Sequence, residues 1–254
     1  MDLRDRYYAL ILAAGFSSRA QGFKMALPLA GRPVLHHVLS ALALAVDGAW
    51  VVTGYEGARI ENLVREWAGP CEEIKLPPDF VRTVHNPIYK EGMMSSVLAG
   101  ARVIPEGSFL FILPGDYPLL ATSAFQSLRT AAMAARDSAQ SRGAARGDTA
   151  RGDTASAGAF IPRCNGKNGH PVLLVPECSA SLHTASLRSL AEGQFAVAVG
   201  DGGSGNADIP AATLRAFLAQ WNPAYIDVSD EGVLIDLDTP EDYERIKTRM
   251  QKNQ

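Results

Sequence analysis

The chain has 254 residues and a formal net charge of −3, from 24 basic and 27 acidic side chains. Hydrophobic residues make up 47% of it and charged residues 20%, a globular balance that excludes a disordered, collagen-like or coiled-coil chain. A small negative charge is not the footprint of a protein that binds nucleic acid or an anionic membrane, so neither partner is expected.

Short apolar runs alternate with helical patterns along the chain. In chain order the sequence predicts a strand at 7–12, a helix at 34–46, a strand at 49–53, a helix at 58–67, a strand at 81–84, a helix at 92–104, a strand at 109–113, a helix at 124–135, a strand at 171–175, a helix at 214–221, a strand at 233–237 and a last helix that begins at 239–240. This alternation predicts a layered α/β fold with a largely parallel sheet. Because ligands bind at the carboxyl ends of strands in such sheets, the loops after Leu12 and Leu113 are expected to carry the site.

One alanine-rich stretch does not fit an apolar core. Residues 131–158 hold ten alanines and a tandem repeat, in which Ala-Arg-Gly-Asp-Thr at 145–149 recurs at 150–154. Low hydrophobicity and frequent glycine favour a surface segment over a packed one. We therefore predict a single domain over 1–254 that carries a flexible insertion at 136–158, with a second insertion at 203–212.

The cysteines and the apolar runs bear on the compartment. Cys71, Cys164 and Cys178 are odd in number and widely spaced, which is typical of a reduced protein rather than a disulfide scaffold or a zinc site. No segment reaches the roughly 18 apolar residues that span a bilayer, and the early run at 7–14 is too short for a signal-peptide core. A cytoplasmic location is the expectation.

The loop after the first strand has the composition of a phosphate-binding loop. It reads LAAGFSSRAQGFK from Leu12 to Lys24. Small residues let backbone N–H groups approach a phosphate chain, while Arg19 and Lys24 can neutralise its charge. The loop matches neither GxGxxG nor GxxxxGK[ST], so an ordinary glycine turn with two solvated cations is an equally good interpretation of the spacing alone.

Two acidic segments follow predicted strands. Asp116 lies in Pro-Gly-Asp-Tyr-Pro directly after the best predicted strand, where a carboxylate can hold Mg²⁺ and Gly115 admits close approach. Asp236 and Asp238 share one strand face if the strand at 233–237 extends that far. The alternatives are an aspartate in a proline turn for the first segment, and helix capping with solvated acids for the second.

Together these blocks resemble the MobA-like nucleotidyltransferases, in particular their molybdenum cofactor cytidylyltransferase branch. The first loop is similar to the family's LAAGxSxRMGxxK, with Gln21 in place of the usual glycine, and 27–35 is similar to LPLxGxPLL. Three further segments match family patterns: GDxP at Asp116, N-x-x-[FWY]-x-x-G-[ML]-x-x-S from Asn86, and GHPVL from Gly169. The ending at 236–242 is similar to DIDTPED.

The resemblance implies a three-layer α/β/α Rossmann-like nucleotidyltransferase fold with a mostly parallel mixed sheet. It makes Arg19, Lys24 and Asp116 catalytic, and it makes Asp116 a Mg²⁺ ligand that Asp238 joins by analogy with related cytidylyltransferases. The residues implied in nucleotide binding are Leu12, Ala13, Ala14, Gly15, Ser17, Arg19, Lys24, Asn86, Gly92, Ser96 and Gly115. Gly169, His170 and Pro171 are implied on the acceptor side.

The expected reaction is therefore Mg²⁺-dependent transfer of CMP from CTP to the phosphate of molybdopterin, with release of pyrophosphate. A molybdenum hydroxylase that receives the product is a possible further partner. Three alternatives stay open: a guanylyltransferase that uses GTP, a cytidylyltransferase that acts on a sugar or alcohol phosphate, and a non-catalytic molybdenum cofactor-binding chaperone. A dinucleotide-dependent oxidoreductase lacks its glycine fingerprint.

Overall fold

The computed structural model describes residues 6–15, 23–67, 69, 75–142, 154–191 and 213–252, and the structural statements below concern those residues. The strands are β1 Tyr7–Leu12, β2 Pro28–Leu29, β3 Arg32–Pro33, β4 Gly48–Thr53, β5 Val81–His85, β6 Phe109–Pro114, β7 Ala159–Cys164, β8 Lys167–Asn168, β9 Val172–Leu174 and β10 Ala224–Asp227. The α-helices are α1 Val34–Leu42, α2 Gly57–Glu66, α3 Met93–Ala101, α4 Thr122–Arg142, α5 Pro176–Ala191, α6 Leu214–Ala219 and α7 Pro240–Lys252. Single 3₁₀ turns lie at Lys24–Ala26, Tyr89–Glu91, Thr154–Ser156 and Glu231–Leu234.

One mixed sheet organises the molecule. Its strand order is β10-β7-β9-β6-β1-β4-β5, with β8 paired to β7, while β2 and β3 form a separate small hairpin. β1 is parallel to both β4 and β6, β4 to β5, and β7 to β10. β9 runs antiparallel between β6 and β7, and β8 is also antiparallel to β7. The predicted mostly parallel mixed sheet is confirmed.

The central strands are buried on both faces, which explains their continuous apolar sequences. Along β1, Ala9 and Ile11 point into a core shared with α1 and α4, whereas Leu10 and Leu12 point into a core shared with α3, α5 and α6. A strand alternates faces at every residue, so these two cores lie on opposite sides of the sheet. The fold therefore has the three α/β/α layers that were expected.

A third, smaller core attaches the end of the chain to its beginning. Leu237 and Ile246 pack against Leu29 and Val34, all four being fully buried. This contact places α7 and the segment before it on the β2–β3 hairpin and on the start of α1. It also carries the acidic stretch at 236–242 towards the carboxyl end of β1.

The predicted strand at 233–237 is wrong. The apolar residues there enter a 3₁₀ turn over Glu231–Leu234, in which the Asp230 carboxylate accepts a hydrogen bond from Gly232 N at 2.8 Å. Gly232 lies so close to the chain that a Cβ on it would stand 2.0 Å from the Leu119 carbonyl oxygen. Val233 is fully buried in this packed turn, so its apolar character reflects burial without strand pairing.

The two ends of the predicted insertion at 136–158 have regular structure. Helix α4 continues to Arg142, seven residues beyond the predicted end at Ala135. At the other end Ala157 and Gly158 are buried, and Gly158 N donates to the Trp221 carbonyl at 2.7 Å. Alanine is the best helix former, so a run that is poor as core still extends a helix. Residues 143–153, which include most of the repeat, lie outside the described residues, as does the second insertion expected within 203–212.

Several elements were not predicted. Strands β7 and β10 and helix α5 follow the alanine-rich stretch, and their sequences mix small, polar and apolar residues without a clear period. The helix at the end of the chain was predicted correctly, with Thr239 as its cap and Pro240 as its first residue. Within the described residues, no helix is both long and apolar enough to cross a bilayer.

Candidate active site

The carboxyl ends of β1 and β6 meet in register. Leu12 pairs with Pro114 across the two parallel strands, and Gly115 N donates to the Leu12 carbonyl at 3.0 Å. The chain leaving β6 is therefore held against the chain leaving β1. This contact brings Asp116 next to the first loop, as expected for loops at the carboxyl end of a parallel sheet.

Lys24 reaches this edge because of the turn that carries it. The 3₁₀ turn at Lys24–Ala26 buries Met25, and a Cβ on Gly115 would stand 3.2 Å from the Met25 sulfur. A side chain at 115 would therefore press on Met25, so Gly115 and Met25 pack closely. The turn points the Lys24 ammonium at the Asp116 carboxylate, and Lys24 Nζ donates to Asp116 Oδ2.

A second carboxylate arrives from the other end of the chain. Lys24 Nζ also donates to Asp238 Oδ1 at 3.1 Å. Asp238 is placed by its neighbours, since Leu237 N donates to the Asp116 carbonyl at 2.9 Å. The shared strand face that was predicted for Asp236 and Asp238 does not exist, because no strand forms there.

The helix cap of α7 fixes the same segment from behind. The Asp242 carboxylate accepts hydrogen bonds from Thr239 N at 3.0 Å and from Asp238 N at 3.3 Å. In return Asp242 N donates to the Thr239 hydroxyl at 3.1 Å. This reciprocal cap orients Asp238 towards Lys24. Sequence reasoning assigned no site role to Asp242, although its position three residues after a capping threonine is the signal that finds it.

The charges in this cluster compensate one another. Burial of Lys24 disfavours its charged form, but the attraction of Asp116 and Asp238 outweighs burial, so the pKa of Lys24 is raised above its ordinary value. Burial also raises the pKa of Asp236, and the negative charges of Asp238 and Asp116 add to that rise. Asp236 therefore stands at the edge of the same acidic group.

One oxygen of Asp116 is left unsatisfied. Asp116 Oδ1 is buried and has no hydrogen-bond partner among the described residues. The Asp116 side chain is 12% exposed, and that of Asp238 is 45% exposed. A buried carboxylate oxygen without a donor is costly unless a ligand completes it. The pair of carboxylates thus offers a hard oxygen donor set that fits Mg²⁺ or Mn²⁺.

These two carboxylates do not make a complete metal site by themselves. No group of three or more His, Cys, Asp or Glu side chains able to hold a metal is present in the described part of the chain. A partial oxygen set is what Mg²⁺ commonly uses in nucleotide enzymes, because substrate phosphates and water supply the remaining ligands.

Two rings border the cluster. Tyr117, which directly follows Asp116, meets His170 edge to face with ring centroids 5.1 Å apart. Burial raises the pKa of Tyr117, and the carboxylates of Asp236, Asp116 and Asp238 add to the rise, so its phenol stays protonated. Sequence reasoning did not select Tyr117, because nothing in a Gly-Asp-Tyr-Pro turn distinguishes a packed ring from an exposed one.

His170 is held close to the Asp116 segment by its backbone. His170 N donates to the Val233 carbonyl at 2.9 Å, and a Cβ on Gly169 would stand 2.2 Å from the same oxygen. Burial lowers the pKa of His170, while the charge of Asp116 works in the opposite direction. Its Nδ1 is buried without a hydrogen-bond partner among the described residues. Pro171 follows through a cis peptide bond.

The turn from Asn86 to Ser96 forms a separate polar cluster. Asn86 is fully buried, and its Nδ2 donates to Ser95 Oγ at 2.9 Å and to Ser96 Oγ at 3.0 Å. Its Oδ1 accepts a hydrogen bond from Ile88 N at 3.1 Å. In this structure the Asn86 and Ser96 side chains therefore hold the turn instead of facing a ligand. Gly92, by contrast, is exposed at the start of α3, with a φ of +99° that favours glycine.

The remaining first-loop residues divide into two groups. Leu12, Ala13 and Ala14 are buried, with Ala13 N donating to the Val52 carbonyl at 3.0 Å, whereas Gly15 is exposed. Ser17 and Arg19, together with Gln21, lie outside the described residues. The structure thus brings Lys24, Asp116 and Asp238 together and places Gly15 at the entrance of the loop.

A mostly parallel sheet between two helical layers, with a lysine and two carboxylates gathered at the carboxyl ends of β1 and β6, defines an α/β protein of the three-layer class. Residues 9–199 match the model of the MobA-like NTP transferase domain. The chain belongs to this family and is a nucleotidyltransferase.

Individual relatives agree with this assignment. The "Molybdenum cofactor cytidylyltransferase" of Escherichia coli (strain K12) is 24% identical over 241 residues, which cover 94% of this chain and 95% of that protein. A nucleotidyl transferase from Methanothermobacter thermautotroptrophicus superposes with a TM-score of 0.63 at 17% identity, over 98% of this chain and 99% of that one. A Mycobacterium tuberculosis H37Rv protein solved in complex with manganese gives a TM-score of 0.51 at 17% identity, over 96% and 98% of the two chains.

Proposed function

We propose that this nucleotidyltransferase transfers CMP from CTP to the phosphate of molybdopterin, with Mg²⁺ as its cofactor and pyrophosphate as the second product. The observation that carries the proposal is the Lys24–Asp116–Asp238 cluster at the carboxyl ends of β1 and β6, with Asp116 Oδ1 left unsatisfied. The choice of CTP and molybdopterin is supported by the GHPVL segment and by the full-length similarity to the E. coli cytidylyltransferase.

The chain's own residues position and neutralise phosphate. Lys24, with Arg19 from the same loop, contacts the triphosphate, and Gly15 lets the chain approach it closely. An oxygen of the acceptor phosphate attacks the α-phosphorus, and the bond to the pyrophosphate oxygen breaks. The lack of a protein nucleophile in the cluster fits a direct transfer, in which positioning and charge stabilisation provide the catalysis.

Asp116 and Asp238 would hold the divalent ion. Asp116 contributes a buried carboxylate whose free oxygen lacks a donor, and Asp238 contributes a half-exposed one. When bound, such an ion supplies positive charge that offsets the charge on the phosphates. The manganese complex of the mycobacterial neighbour supports a divalent metal in this fold without specifying magnesium for this chain.

The acceptor is proposed to bind beside His170. Gly169, His170 and Pro171 lie against the turn that leads to Asp238, and the His170 ring packs on Tyr117 next to Asp116. Gly92 at the start of α3 is the proposed backbone contact for the nucleotide, while Asn86 and Ser96 hold its turn. A molybdenum hydroxylase is the proposed recipient of the product. Because the chain is a nucleotidyltransferase, the alternative of a non-catalytic chaperone is not retained.

The compartment belongs to the same proposal. Cys164 and Cys178 are free and buried. Burial raises the pKa of the Cys178 thiol, which keeps it protonated and unreactive. Free thiols support a reducing compartment, and we propose the cytoplasm.

The test is a nucleotide panel with molybdopterin as acceptor. Purified protein with Mg²⁺ and each of CTP, GTP, UTP and ATP is expected to release pyrophosphate fastest with CTP, and only when molybdopterin is present. Asp227→Asn is the matched control for substitutions of the aspartates in the cluster. It removes the charge of an exposed aspartate that pairs with Arg163 on the surface, so it is expected to keep wild-type turnover. Preference for GTP would assign the guanylyl reaction instead. Turnover with a sugar or alcohol phosphate and none with molybdopterin would refute the proposed acceptor.

A further inference from the structure

Lys24 occupies the point where the two proposed metal-binding carboxylates converge. Its ammonium donates to Asp116 Oδ2 and, at 3.1 Å, to Asp238 Oδ1, so one cation bridges both side chains. The side chains of Lys24 and Asp116 are only 14% and 12% exposed. A cation held between these two carboxylates stands in the place that a metal ion between them would take.

The charges do not allow both cations there without a third partner. Two carboxylates carry two negative charges, which a divalent ion alone would cancel. An ammonium added at hydrogen-bond distance would then repel the ion, and repulsion is strong where water is scarce. A nucleoside triphosphate brings several more negative charges, so that the ammonium and the divalent ion can both be held once it is bound.

The backbone around Lys24 lets the ammonium move by itself. Met25 is packed against Gly115, and Leu27 N donates to the Lys24 carbonyl at 3.2 Å, so the turn is held independently of the ammonium. The ammonium lies at the end of a flexible four-carbon stem, and it can leave the carboxylates by rotation of that stem. The gap left behind is bounded by Asp116 Oδ2 and Asp238 Oδ1, the two oxygens that the ammonium contacts.

Building on the function proposed above, we propose that Lys24 is an internal substitute for the divalent cation. In the nucleotide-free protein its ammonium bridges Asp116 and Asp238 and cancels one of their two negative charges, and the triphosphate draws it away as nucleotide and metal bind. Lys24 then has two successive roles: it holds the empty carboxylate pair together, and it contacts phosphate in the loaded site. It follows that Lys24 and a divalent ion compete in the absence of nucleotide, and that the triphosphate and the ion bind cooperatively.

The first experiment measures Mn²⁺ binding to the nucleotide-free protein by the loss of the free-ion EPR signal. Lys24→Met is expected to bind Mn²⁺ about tenfold more tightly than the wild type, within the range of typical coupling between sites. Lys247→Met is the matched control, since this exposed lysine on α7 pairs with Glu244 at 3.8 Å and lies over the Tyr243 ring. Its Mn²⁺ affinity is expected to equal that of the wild type. Unchanged affinity in Lys24→Met would overturn the proposal.

The second experiment uses only the wild type, so it is decisive even if Lys24→Met fails to fold. Acetylation of lysine amines is followed by mass spectrometry while Mn²⁺ is titrated into the nucleotide-free protein. Lys24 is expected to react faster as Mn²⁺ displaces it from the carboxylates, whereas Lys247 in the same sample keeps its rate. A Lys24 rate that stays constant up to saturating Mn²⁺ would refute the competition.

The outcomes separate this inference from the proposed function. If pyrophosphate is released normally but neither Mn²⁺ affinity nor Lys24 reactivity responds, the substitute role of Lys24 is wrong and the reaction stands. If Mn²⁺ binds tightly only when Lys24 is removed, while no nucleotide yields pyrophosphate, the competition stands and the proposed reaction is wrong.

Discussion

Two polar clusters lie at the ends of strands in this fold, and they differ in how completely their hydrogen bonds are made. In the cluster of Asn86, Ser95 and Ser96, a fully buried amide gives both of its donors to hydroxyls and accepts one backbone N–H. In the cluster of Lys24 and Asp116 with Asp238, one buried carboxylate oxygen has no partner. The satisfied cluster stabilises a turn, whereas the unsatisfied one is ready for a ligand.

The energies of the two clusters explain this division. A neutral amide with all its hydrogen-bond partners adds little to the net free energy of folding. Any other arrangement of the turn is costly, because it would leave a buried polar group without a partner. A carboxylate pair that shares one ammonium keeps excess negative charge at a partly exposed edge, where it attracts a cation. Burial does not distinguish the two clusters, because Asn86 and Asp116 are both buried. The number of hydrogen bonds that each side chain makes does distinguish them.

The largest expected effect is that of Asp116→Asn. The amide keeps the size of the side chain but removes the charge that holds both Lys24 and the divalent ion, so pyrophosphate release is expected to fall about 10²–10³-fold. Steady-state assays with CTP, Mg²⁺ and molybdopterin measure the change. Thermal unfolding serves as the check that the variant is folded. Turnover within about threefold of wild type would mean that charge at Asp116 contributes less than 1 kcal/mol to the barrier.

Asp238→Asn is expected to have a smaller effect at the same site. Asp238 is 45% exposed and shares the ammonium with Asp116. Water can therefore replace part of the charge stabilisation and metal coordination that its carboxylate would provide. We expect turnover at limiting Mg²⁺ to fall about tenfold, with part of the loss recovered at high Mg²⁺, because a weakened ligand set can be compensated by mass action. A loss equal to that of Asp116→Asn, with no recovery at high Mg²⁺, would show that the two carboxylates are equivalent.

The predicted site residues stay a prediction, although the structure brings Lys24, Asp116 and Asp238 together, whereas the predicted strand at 233–237 is wrong. Asp116 and Lys24 were found because the carboxyl ends of β1 and β6 are adjacent in any parallel sheet of this order, and their loops carry the charges. Asp238 was selected by analogy with related cytidylyltransferases, and the strand that was expected to place it beside Asp236 does not form. Its support is the cap by Asp242, which the spacing from Thr239 signals, and the hydrogen bond from Leu237 N to the Asp116 carbonyl, which no local pattern reveals.

The sequence alone does not reveal whether a buried polar side chain has all of its hydrogen-bond partners. Asn86 and Asp116 are both polar residues in turns at strand ends, and both match family motifs. Only the packing shows that the Asn86 amide is enclosed by two serines while Asp116 Oδ1 is not. Helix α4 was underestimated for a different reason, because residues 136–141 beyond its predicted end are exposed or half-buried and show no apolar period.

Asn86→Ala tests the satisfied cluster. The truncation leaves the Ile88 N–H and the serine hydroxyls without this partner, so the free energy of unfolding is expected to fall by about 1–3 kcal/mol. For a chain of this size each 1 kcal/mol lowers the unfolding midpoint by about 2–4 °C. Below that midpoint we expect turnover per folded molecule to change less than it does in Asp238→Asn. An unchanged midpoint with a tenfold rise in the KM for CTP would instead make Asn86 a direct nucleotide contact.

The smallest effect is expected outside both clusters, in residues 143–153. Replacing this segment by a Gly/Ser stretch of equal length removes most of the Ala-Arg-Gly-Asp-Thr repeat and no side chain of either cluster. Pyrophosphate release is therefore expected to stay within about twofold of wild type, the usual range for changes away from such features.

Deletion of the whole of 136–158 is the contrasting variant. It also removes Gly158, which donates to the Trp221 carbonyl at 2.7 Å and accepts from Val175 N at 3.0 Å. With these two backbone bonds lost beside β7 and β9, the deletion is expected to cost about 2 kcal/mol or more in the free energy of unfolding. Loss of CTP binding in the equal-length replacement, with its unfolding midpoint unchanged, would place part of the nucleotide site in the repeat.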